Sequence, residues 1–216
     1  MNQLTEGITV NCQSSIRIDG SKVIYFDPFE LNEASHDADV IFITHEHYDH
    51  FQPDSIAKVK KDNTILVAPQ SMQEKVLKEA GISKDNCVFL NPKAKETVSE
   101  ILVETVGAYN KLKPFHPKAK NWLGYVVTLD GVRYFVAGDT DPNEDNRKVK
   151  CDVALIPIGG TFTMDKKHGA DYAANLKPKA VVPTHYGKLV GKTEDGADFK
   201  DYIEIMDPEI QVDLKM

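Results

Sequence analysis

The sequence has few of the features that mark exported or membrane-bound proteins. Its three cysteines, Cys12, Cys87 and Cys151, are far apart and form no CxxC pair. This spacing argues against a disulfide framework and against a thiolate zinc site. No apolar run approaches the roughly 18 residues that a membrane-spanning helix needs. The first residues lack the basic segment and apolar core of a signal peptide, so we expect a cytoplasmic protein.

The chain also lacks an excess of positive charge. It has 26 Lys and Arg residues against 33 Asp and Glu residues, which gives a formal net charge of -7. Because this balance does not attract polyanions, we expect a small-molecule substrate and no nucleic-acid partner. The length of 216 residues suits one globular domain over residues 1–216. No motif specifies an oligomeric state.

The most distinctive segment is residues 44–50, which contains three histidines and an aspartate directly after the apolar run of residues 40–43. A short apolar run that is rich in β-branched and aromatic residues is typical of a buried strand. The polar cluster should therefore lie at the carboxyl end of a strand, where open α/β sheets place their ligand sites.

The spacing within this segment favours metal binding. His45 and His47 alternate in an extended segment, so both side chains can point towards one metal. Asp49 and His50 follow at a turn, where adjacent side chains can diverge towards a second metal. Neutral imidazole and carboxylate are ligands that zinc prefers. A lone histidine would more often have a structural role, but four candidate ligands in six positions indicate a metal site.

Strand and helix signals alternate in both halves of the chain, which favours an α/β fold. In the first half, strands are expected at residues 8–10, 15–18, 23–26, 40–43, 64–68 and 87–90, with helices beginning near residue 53 and covering residues 71–80. In the second half, strands are expected at residues 97–98, 101–106, 124–129, 132–137, 153–158 and 180–183, with a helix over residues 165–176.

Three further candidate ligands each follow a predicted strand. His116, Asp139 and His185 each have another interpretation when taken singly, because an aspartate can cap a helix or form a turn and a histidine is often structural. Gly138 and Gly187 lie beside two of them and allow the backbone to approach closely. Together with residues 44–50, these positions can complete two coordination spheres.

The sequence resembles the metallo-β-lactamase superfamily. The resemblance rests on His45-x-His47-x-Asp49-His50, the downstream His116, the Gly138-Asp139-Thr140 turn and the segment Thr184-His185-Tyr186-Gly187. The opening motif is most similar to a compact branch related to ascorbate-6-phosphate lactonase and N-acyl-phosphatidylethanolamine phospholipase D. The resemblance implies a four-layer αββα sandwich, in which two mixed β-sheets are covered by helices.

The resemblance also implies seven ligands for two divalent metal ions. One ion would be bound by His45, His47 and His116 and the other by Asp49, His50 and His185, with Asp139 between them. Zinc is the expected metal, although manganese or iron suits the same donors. A hydroxide bridging the two ions would be the nucleophile. Asp49 would orient this hydroxide or accept its proton, in addition to binding metal.

Other residues are candidates for roles around the metals. Asp27 is expected either to accept a hydrogen bond from a ligand imidazole or merely to form the turn with Pro28. Tyr48 and Tyr186 neighbour ligands and either donate to a developing oxyanion or pack beside the site. A group of lysines flanks the ligand segments and either recognises a phosphate or carboxylate or is solvated surface. This group is Lys111, Lys113, Lys118, Lys120 and Lys188.

These patterns favour a dinuclear metal-dependent hydrolase that acts on an ester, lactone or phosphodiester of a small molecule. The first alternative is a phosphodiesterase that acts on nucleic acid or phospholipid. The second alternative is a metal-binding protein without turnover, which would have a closed site. His47 stands where flavodiiron oxidoreductases of the superfamily place glutamate, so the resemblance favours hydrolysis over redox chemistry.

Overall fold

The computed structural model describes residues 4–216, which form two β-sheets. In the first sheet, neighbouring strands follow chain order, namely β1 (Ile8–Val10), β2 (Ile16–Asp19), β3 (Val23–Phe26), β4 (Ala38–Phe42), β5 (Lys60–Pro69) and β6 (Cys87–Leu90). The first three strands pair antiparallel, whereas β3 to β6 pair parallel. The sheet is therefore mixed.

The second sheet is also mixed, and its strands again follow chain order. They are β7 (Lys95–Val98), β8 (Ile101–Gly107), β9 (Leu123–Leu129), β10 (Val132–Val136), β11 (Val153–Pro157), β12 (Ala180–Thr184) and β13 (Gln211–Val212). The strands from β7 to β10 pair antiparallel, and those from β10 to β13 pair parallel. In the two sheets, β4, β10 and β12 are each followed by a loop that can carry a ligand.

Four α-helices within residues 4–216 cover the outer faces of the sheets. They are α1 (Pro53–Val59), α2 (Gln73–Glu79), α3 (Lys166–Leu176) and α4 (Asp195–Met206). The first two pack on the first sheet and the last two pack on the second sheet. Asp165 caps α3 by accepting the backbone N–H of His168, as expected for an N-terminal aspartate. None of the helices among these residues is long and apolar enough to span a bilayer.

The side chains of β4 show how the layers are held together. Val40 and Phe42 face the core between the two sheets, while Ile41 and Ile43 face the helices α1 and α2. This alternation follows from the two-residue period of a strand, and it explains why a strand that is buried on both faces has a continuous apolar sequence. Phe42 also stacks on Phe26, with ring centroids 4.8 Å apart. The expected αββα sandwich is therefore confirmed.

Two elements at the C-terminal end had no sequence-based prediction. Helix α4 buries Phe199 and Ile203, which are four residues apart, against the second sheet. No side chain caps its N-terminus, although the acidic residues Asp195 and Asp198 lie in its first turn, as is common at helix starts. Strand β13 has only two residues and pairs with β12 at the edge of the sheet. Strand β5 also extends beyond the expected residues 64–68, because its first residues pair with the beginning of β4.

Candidate metal centre

The candidate ligands all lie at one end of the sandwich. The segment from His45 to His50 follows β4, Asp139 follows β10 and His185 follows β12, while His116 lies in the connection between β8 and β9. Hydrogen bonds join the two sheets at this end, since the N–H of Leu123 donates to the carbonyl of Thr44 at 3.1 Å. These loops therefore meet where the first sheet adjoins the second.

Gly138 shows how closely these loops pack. Its φ is +66°, and a Cβ atom at this position would lie 3.1 Å from the carbonyl oxygen of Leu123 and 3.2 Å from Cβ of Thr44. A side chain is therefore disfavoured both by the left-handed backbone and by the lack of space. The glycine brings the turn that carries Asp139 against the segment that carries the histidines.

The first group of candidate ligands contains His45, His47, His116 and Asp139. Nε2 of His45 lies 2.9 Å from Nδ1 of His47. Oδ2 of Asp139 lies 3.2 Å from Nε2 of His116 and 3.9 Å from Nε2 of His45. The donor atoms of this group all lie within 4.8 Å of one another, which is close enough for one ion to contact them.

The second group contains Asp49, His50 and His185. Oδ2 of Asp49 lies 3.5 Å from Nε2 of His50 and 3.3 Å from Nε2 of His185. Asp139 also reaches this group, since its two carboxylate oxygens each lie 3.4 Å from one of these imidazoles. The carboxylate of Asp139 is thus the part of the centre that contacts both groups.

Several donor atoms in the centre have no hydrogen-bond partner within residues 4–216. Nε2 of His50, Nε2 of His116 and Oδ1 of Asp139 are fully buried and form no hydrogen bond, although the two imidazoles lie 3.4 Å and 3.2 Å from the carboxylate of Asp139. Buried polar atoms are normally satisfied, because an unpaired one costs about 1–3 kcal/mol. These atoms converge on one another, and imidazole nitrogen with carboxylate oxygen is a donor set that suits zinc, manganese or iron. The residues therefore fit divalent metal ions.

The charges of the centre also favour a cation. Burial alone would raise the pKa of Asp139, but His185 and His50 hold it well below its ordinary value. Burial lowers the pKa of His45 well below its ordinary value, and the neighbouring His50 adds to this effect. The centre thus holds an ionised carboxylate and a neutral imidazole, and both of these forms bind metals. Burial would lower the pKa of His50, but the carboxylates of Asp139 and Asp27 raise it well above its ordinary value, so a bound cation would replace the proton of this imidazole.

Asp27 fixes the orientation of one imidazole. Its Oδ2 accepts a hydrogen bond from Nδ1 of His50 at 2.7 Å and another from the hydroxyl of Thr44 at 2.6 Å. Its Oδ1 accepts the backbone N–H of Thr44 at 2.7 Å. This carboxylate leaves Nε2 of His50 directed towards Asp49 and Asp139. Thr44, which the sequence analysis did not single out, therefore joins Asp27 to the ligand segment.

The loop that carries His116 is held by two residues with no predicted role. Nδ2 of Asn110 lies 3.3 Å from Nδ1 of His116, and it also donates to the carbonyl of Phe162 at 2.8 Å. The ring of Trp122, the only tryptophan of the chain, packs 4.8 Å from the ring of His45 and 5.6 Å from that of His116. The sequence offered one signal for these residues, namely their closeness to His116 along the chain.

A residue near the N-terminus holds the last candidate ligand. The carbonyl of Gln13, in the loop between β1 and β2, accepts the backbone N–H of His185 at 2.9 Å. The side-chain oxygen of Gln13 accepts the N–H of Leu189 at 3.5 Å. Gln13 is fully buried and has a φ of +51°, and His185 has a φ of +57°. This backbone hydrogen bond between two residues in the left-handed conformation thus joins the loop between β1 and β2 to the loop after β12.

The two candidate tyrosines lie in different environments. Tyr48 is 67% exposed, and its ring makes an edge contact with that of Phe29. Tyr186 is 1% exposed and packs in the core between the second sheet and its helices. Its hydroxyl lies so close to Gly196 that a Cβ atom there would be 2.4 Å away. This position favours the packing role that was considered for Tyr186, whereas Tyr48 remains at the surface beside the ligands.

The lysines that flank the ligand segments are mostly paired with acidic residues. Lys113 contacts Asp141 at 2.9 Å, and Lys120 contacts Glu46 at 2.7 Å. Lys118 instead lies over an aromatic ring, 4.9 Å from the ring centroid of Tyr109. The two remaining ion pairs are Lys111 with Glu144 and Lys188 with Glu30. These contacts favour a role in the surface structure over recognition of a phosphate.

Comparisons with known proteins agree with this geometry. Residues 8–185 match the family model of the β-lactamase superfamily domain. A UPF0173 metal-dependent hydrolase of Thermococcus kodakarensis is 31% identical over 195 residues, which cover 85% of each chain. A crystal structure described as a putative metal-dependent hydrolase of Parabacteroides distasonis is 30% identical, with a TM-score of 0.79 over 96% of this chain and 91% of the other.

A more distant structure shows the same fold. Igni18, a metallo hydrolase of the archaeon Ignicoccus hospitalis, is 20% identical, with a TM-score of 0.74 over 96% of this chain and 93% of the other. The family match and the two relatives above confirm the resemblance that the sequence motifs indicated. The chain therefore belongs to the metallo-β-lactamase superfamily, and its relatives place it among the metal-dependent hydrolases of that superfamily.

Proposed function

We propose that the chain is a dinuclear metal-dependent hydrolase of an ester, lactone or phosphodiester of a small molecule. In this proposal one ion is held by His45, His47 and His116, the other by Asp49, His50 and His185, and Asp139 is shared. The observation that carries the proposal is the position of Asp139, whose carboxylate lies 3.2 Å from Nε2 of His116 and 3.4 Å from Nε2 of His185.

The bound cations would supply a nucleophile derived from water at neutral pH and would withdraw charge from the reacting oxygen of the substrate. The residues have separate tasks. Asp139 keeps the two ligand groups together, and Asp27 holds the imidazole of His50 in one orientation. Asp49 is the candidate proton acceptor. Burial would raise its pKa, but the hydrogen bond from His185 and the charge of His50 lower it, so the carboxylate is ionised at neutral pH.

The exposure of the ligands supports turnover over a purely structural role for the metals. The side chain of His50 is fully buried, whereas that of Asp49 is 13% exposed and His47 is also exposed. One side of the centre is therefore reachable from solvent. Catalytic metal sites keep such an open side, whereas structural sites are closed by protein ligands. The metal-binding protein without turnover is thus the less favoured alternative.

Metal analysis of the purified protein tests the first part of the proposal. We expect near two metal ions per chain, and we expect Asp139→Ala and His185→Ala each to lose at least one. His168→Ala is the matched control, because this imidazole is 71% exposed and contacts Asp165 instead of a candidate ligand. Unchanged metal content in Asp139→Ala would contradict the assignment.

A substrate panel tests the second part. Lactones, carboxylic esters, thioesters and phosphodiesters should be offered to the protein loaded with zinc, manganese or iron. We expect turnover that a chelator abolishes and that added metal restores. Turnover that is indifferent to chelation would show that the hydrolysis does not depend on these residues and their metals.

A further inference from the structure

The large apolar side chains that are exposed within residues 4–216 fall into two groups. One group, Ile205, Met206 and Leu214, lies near the C-terminus. The other group consists of Tyr48, Leu112, Phe115 and Leu189, each of which lies within four residues of a proposed ligand. We call this second group the apolar rim. Exposed apolar side chains that gather around a polar centre are typical of a ligand-binding surface.

A cleft begins at Leu112, the residue of the apolar rim that lines it. It has a volume of about 580 Å³, and most of its exposed wall area is apolar, with Pro142, Gly160 and Met164 beside Leu112. Polar side chains also line it, namely Lys111, Lys113, Asp141, Arg147, Asp165 and His168. Leu112 is 96% exposed and therefore presents nearly its whole side chain to whatever occupies the cleft. A volume of this size falls within the range of small-molecule sites, which is about 300–1,000 Å³.

The cleft lies next to the metal centre. Leu112 is on the loop that carries His116, and Pro142 lies three residues after Asp139. Asn110 joins the two places directly, because its Nδ2 contacts both His116 and the carbonyl of Phe162, on the loop between β11 and α3 that also supplies the cleft residues Gly160 and Met164. The cleft and the ligand His116 thus share the loop between β8 and β9, and Asn110 links that loop to the cleft wall.

The charges around the centre do not favour a polyanionic substrate. Lys113 and Lys120 are neutralised by ion pairs with Asp141 and Glu46, so these ammonium groups already have partners. Arg147, which also lines the cleft, forms no ion pair within residues 4–216 and is the exception. The loops that carry the ligands thus present four exposed apolar side chains, and two of their lysines are already paired. Such a surface selects for apolar area on the substrate.

We propose that the cleft binds the apolar group of a neutral substrate, namely an ester or lactone with a medium-length acyl chain, while the bond to be hydrolysed lies at the metal centre. This inference rests on the proposed function and narrows it to neutral esters and lactones. The reaction is the addition of water across the C–O bond, which gives a carboxylic acid and an alcohol and needs no other reactant.

Chain-length dependence tests this substrate class. The full chain loaded with zinc should be assayed with p-nitrophenyl acetate, butyrate and octanoate, and only the chelator-sensitive rate should be counted. We expect kcat/KM for the octanoyl ester to exceed that for the acetyl ester by at least about tenfold, since each buried methylene contributes about fourfold. Leu112→Asp should reduce this ratio by at least about threefold. Ile205→Asp, which changes an 81% exposed apolar residue away from the rim, should leave it unchanged.

A binding experiment separates this inference from the proposed function. Titration of the zinc-loaded protein with 1-octanol and with ethanol, followed by amide NMR shifts, needs no turnover. Shifts around Leu112 and Phe115 with octanol alone would support the cleft even if no ester were hydrolysed. Chelator-sensitive turnover with no chain-length dependence and no such shifts would overturn the inference and leave the proposed function standing.

Three other outcomes would also overturn it. Burial of the rim in a dimer, detected by light scattering and relieved by Leu112→Asp, would assign this surface to a second copy of the chain. Binding to phosphatidylcholine vesicles that the same variant abolishes would assign it to a lipid surface. A preference for bis-p-nitrophenyl phosphate over every ester that depends on Arg147, tested with Arg147→Gln, would assign the cleft to an anionic substrate.

Discussion

Replacing Asp27 by asparagine should loosen the second group of ligands without emptying the first. Asp27 is fully buried, and its two oxygens accept three hydrogen bonds, two from Thr44 and one from Nδ1 of His50. Asparagine has nearly the same shape but offers only one acceptor atom. Its NH₂ group would face the hydroxyl of Thr44 and the N–H of His50, so at least one donor would lose its partner.

The expected magnitude is clearer for metal affinity than for stability. Losing hydrogen bonds to a charged group costs about 1.5–3 kcal/mol each. However, burial disfavours the charged form of Asp27 and raises its pKa despite His50, so a neutral side chain regains part of this free energy. Metal affinity has no such compensation, since an imidazole without its carboxylate partner is free to rotate. Loss of such a partner lowers metal affinity by about 10–100-fold.

The assay is a zinc titration in competition with a chromophoric chelator, which resolves one tight and one weakened site in Asp27→Asn. Asp37→Asn is the matched control, because that carboxylate also accepts bonds from three side chains, Arg17, Ser35 and Tyr25, but lies away from the ligands. Both variants make the same chemical change. The role of Asp27 in orienting His50 is refuted if both zinc affinities of Asp27→Asn lie within about threefold of the affinities of the unchanged protein.

Three further outcomes are expected. Asp139→Ala should weaken both metal sites, since its carboxylate contacts both ligand groups, and metal analysis after dialysis measures this loss. Chelation should lower the melting temperature by about 5–10 °C for each ion removed, relative to protein in a 100-fold excess of zinc over its Kd, as calorimetry would show. Gly138→Ala should lower the free energy of unfolding in urea by about 1–3 kcal/mol more than Gly131→Ala, because both glycines have a positive φ but only Gly138 lies against Leu123 and Thr44.

Features that depend on local pattern were predictable from the sequence. The continuous apolar run from Val40 to Ile43 predicted a buried strand, and the strand was found, with apolar neighbours on both of its faces. The spacing of the motif around His45 and the later His116, Asp139 and His185 suggested the family, which the comparisons confirmed. The assignment of each ligand to one of two ions stays a prediction, although the distances group these residues in the same way.

Features that depend on distant partners were not predictable. The lysines illustrate this limit, because Lys188 pairs with Glu30, which is 158 positions away along the chain. The sequence alone left open whether such lysines recognise an anion, and only the fold brings their acidic partners to them. The hydrogen bond from the backbone N–H of His185 to the carbonyl of Gln13 was unpredictable for the same reason. The two residues are far apart in the sequence, and no motif specifies their contact.

Backbone strain gives an independent argument that this end of the molecule is functional. Asp27, Gln13, His116 and His185 all have φ values between +45° and +57°, a conformation that costs a residue with a side chain about 1–2 kcal/mol. Of the twelve non-glycine residues with a positive φ within residues 4–216, these four are the buried ones, whereas the other eight are exposed or half-buried. His116 and His185 are candidate ligands, and Asp27 and Gln13 each form a hydrogen bond with a candidate ligand. Such strain persists only where the surrounding contacts over-determine it. Unpaired donor atoms add a second cost at the same place, and a bound cation would offset that cost. Within residues 4–216, the buried residues with left-handed backbone thus lie where a metal-dependent reaction would use them.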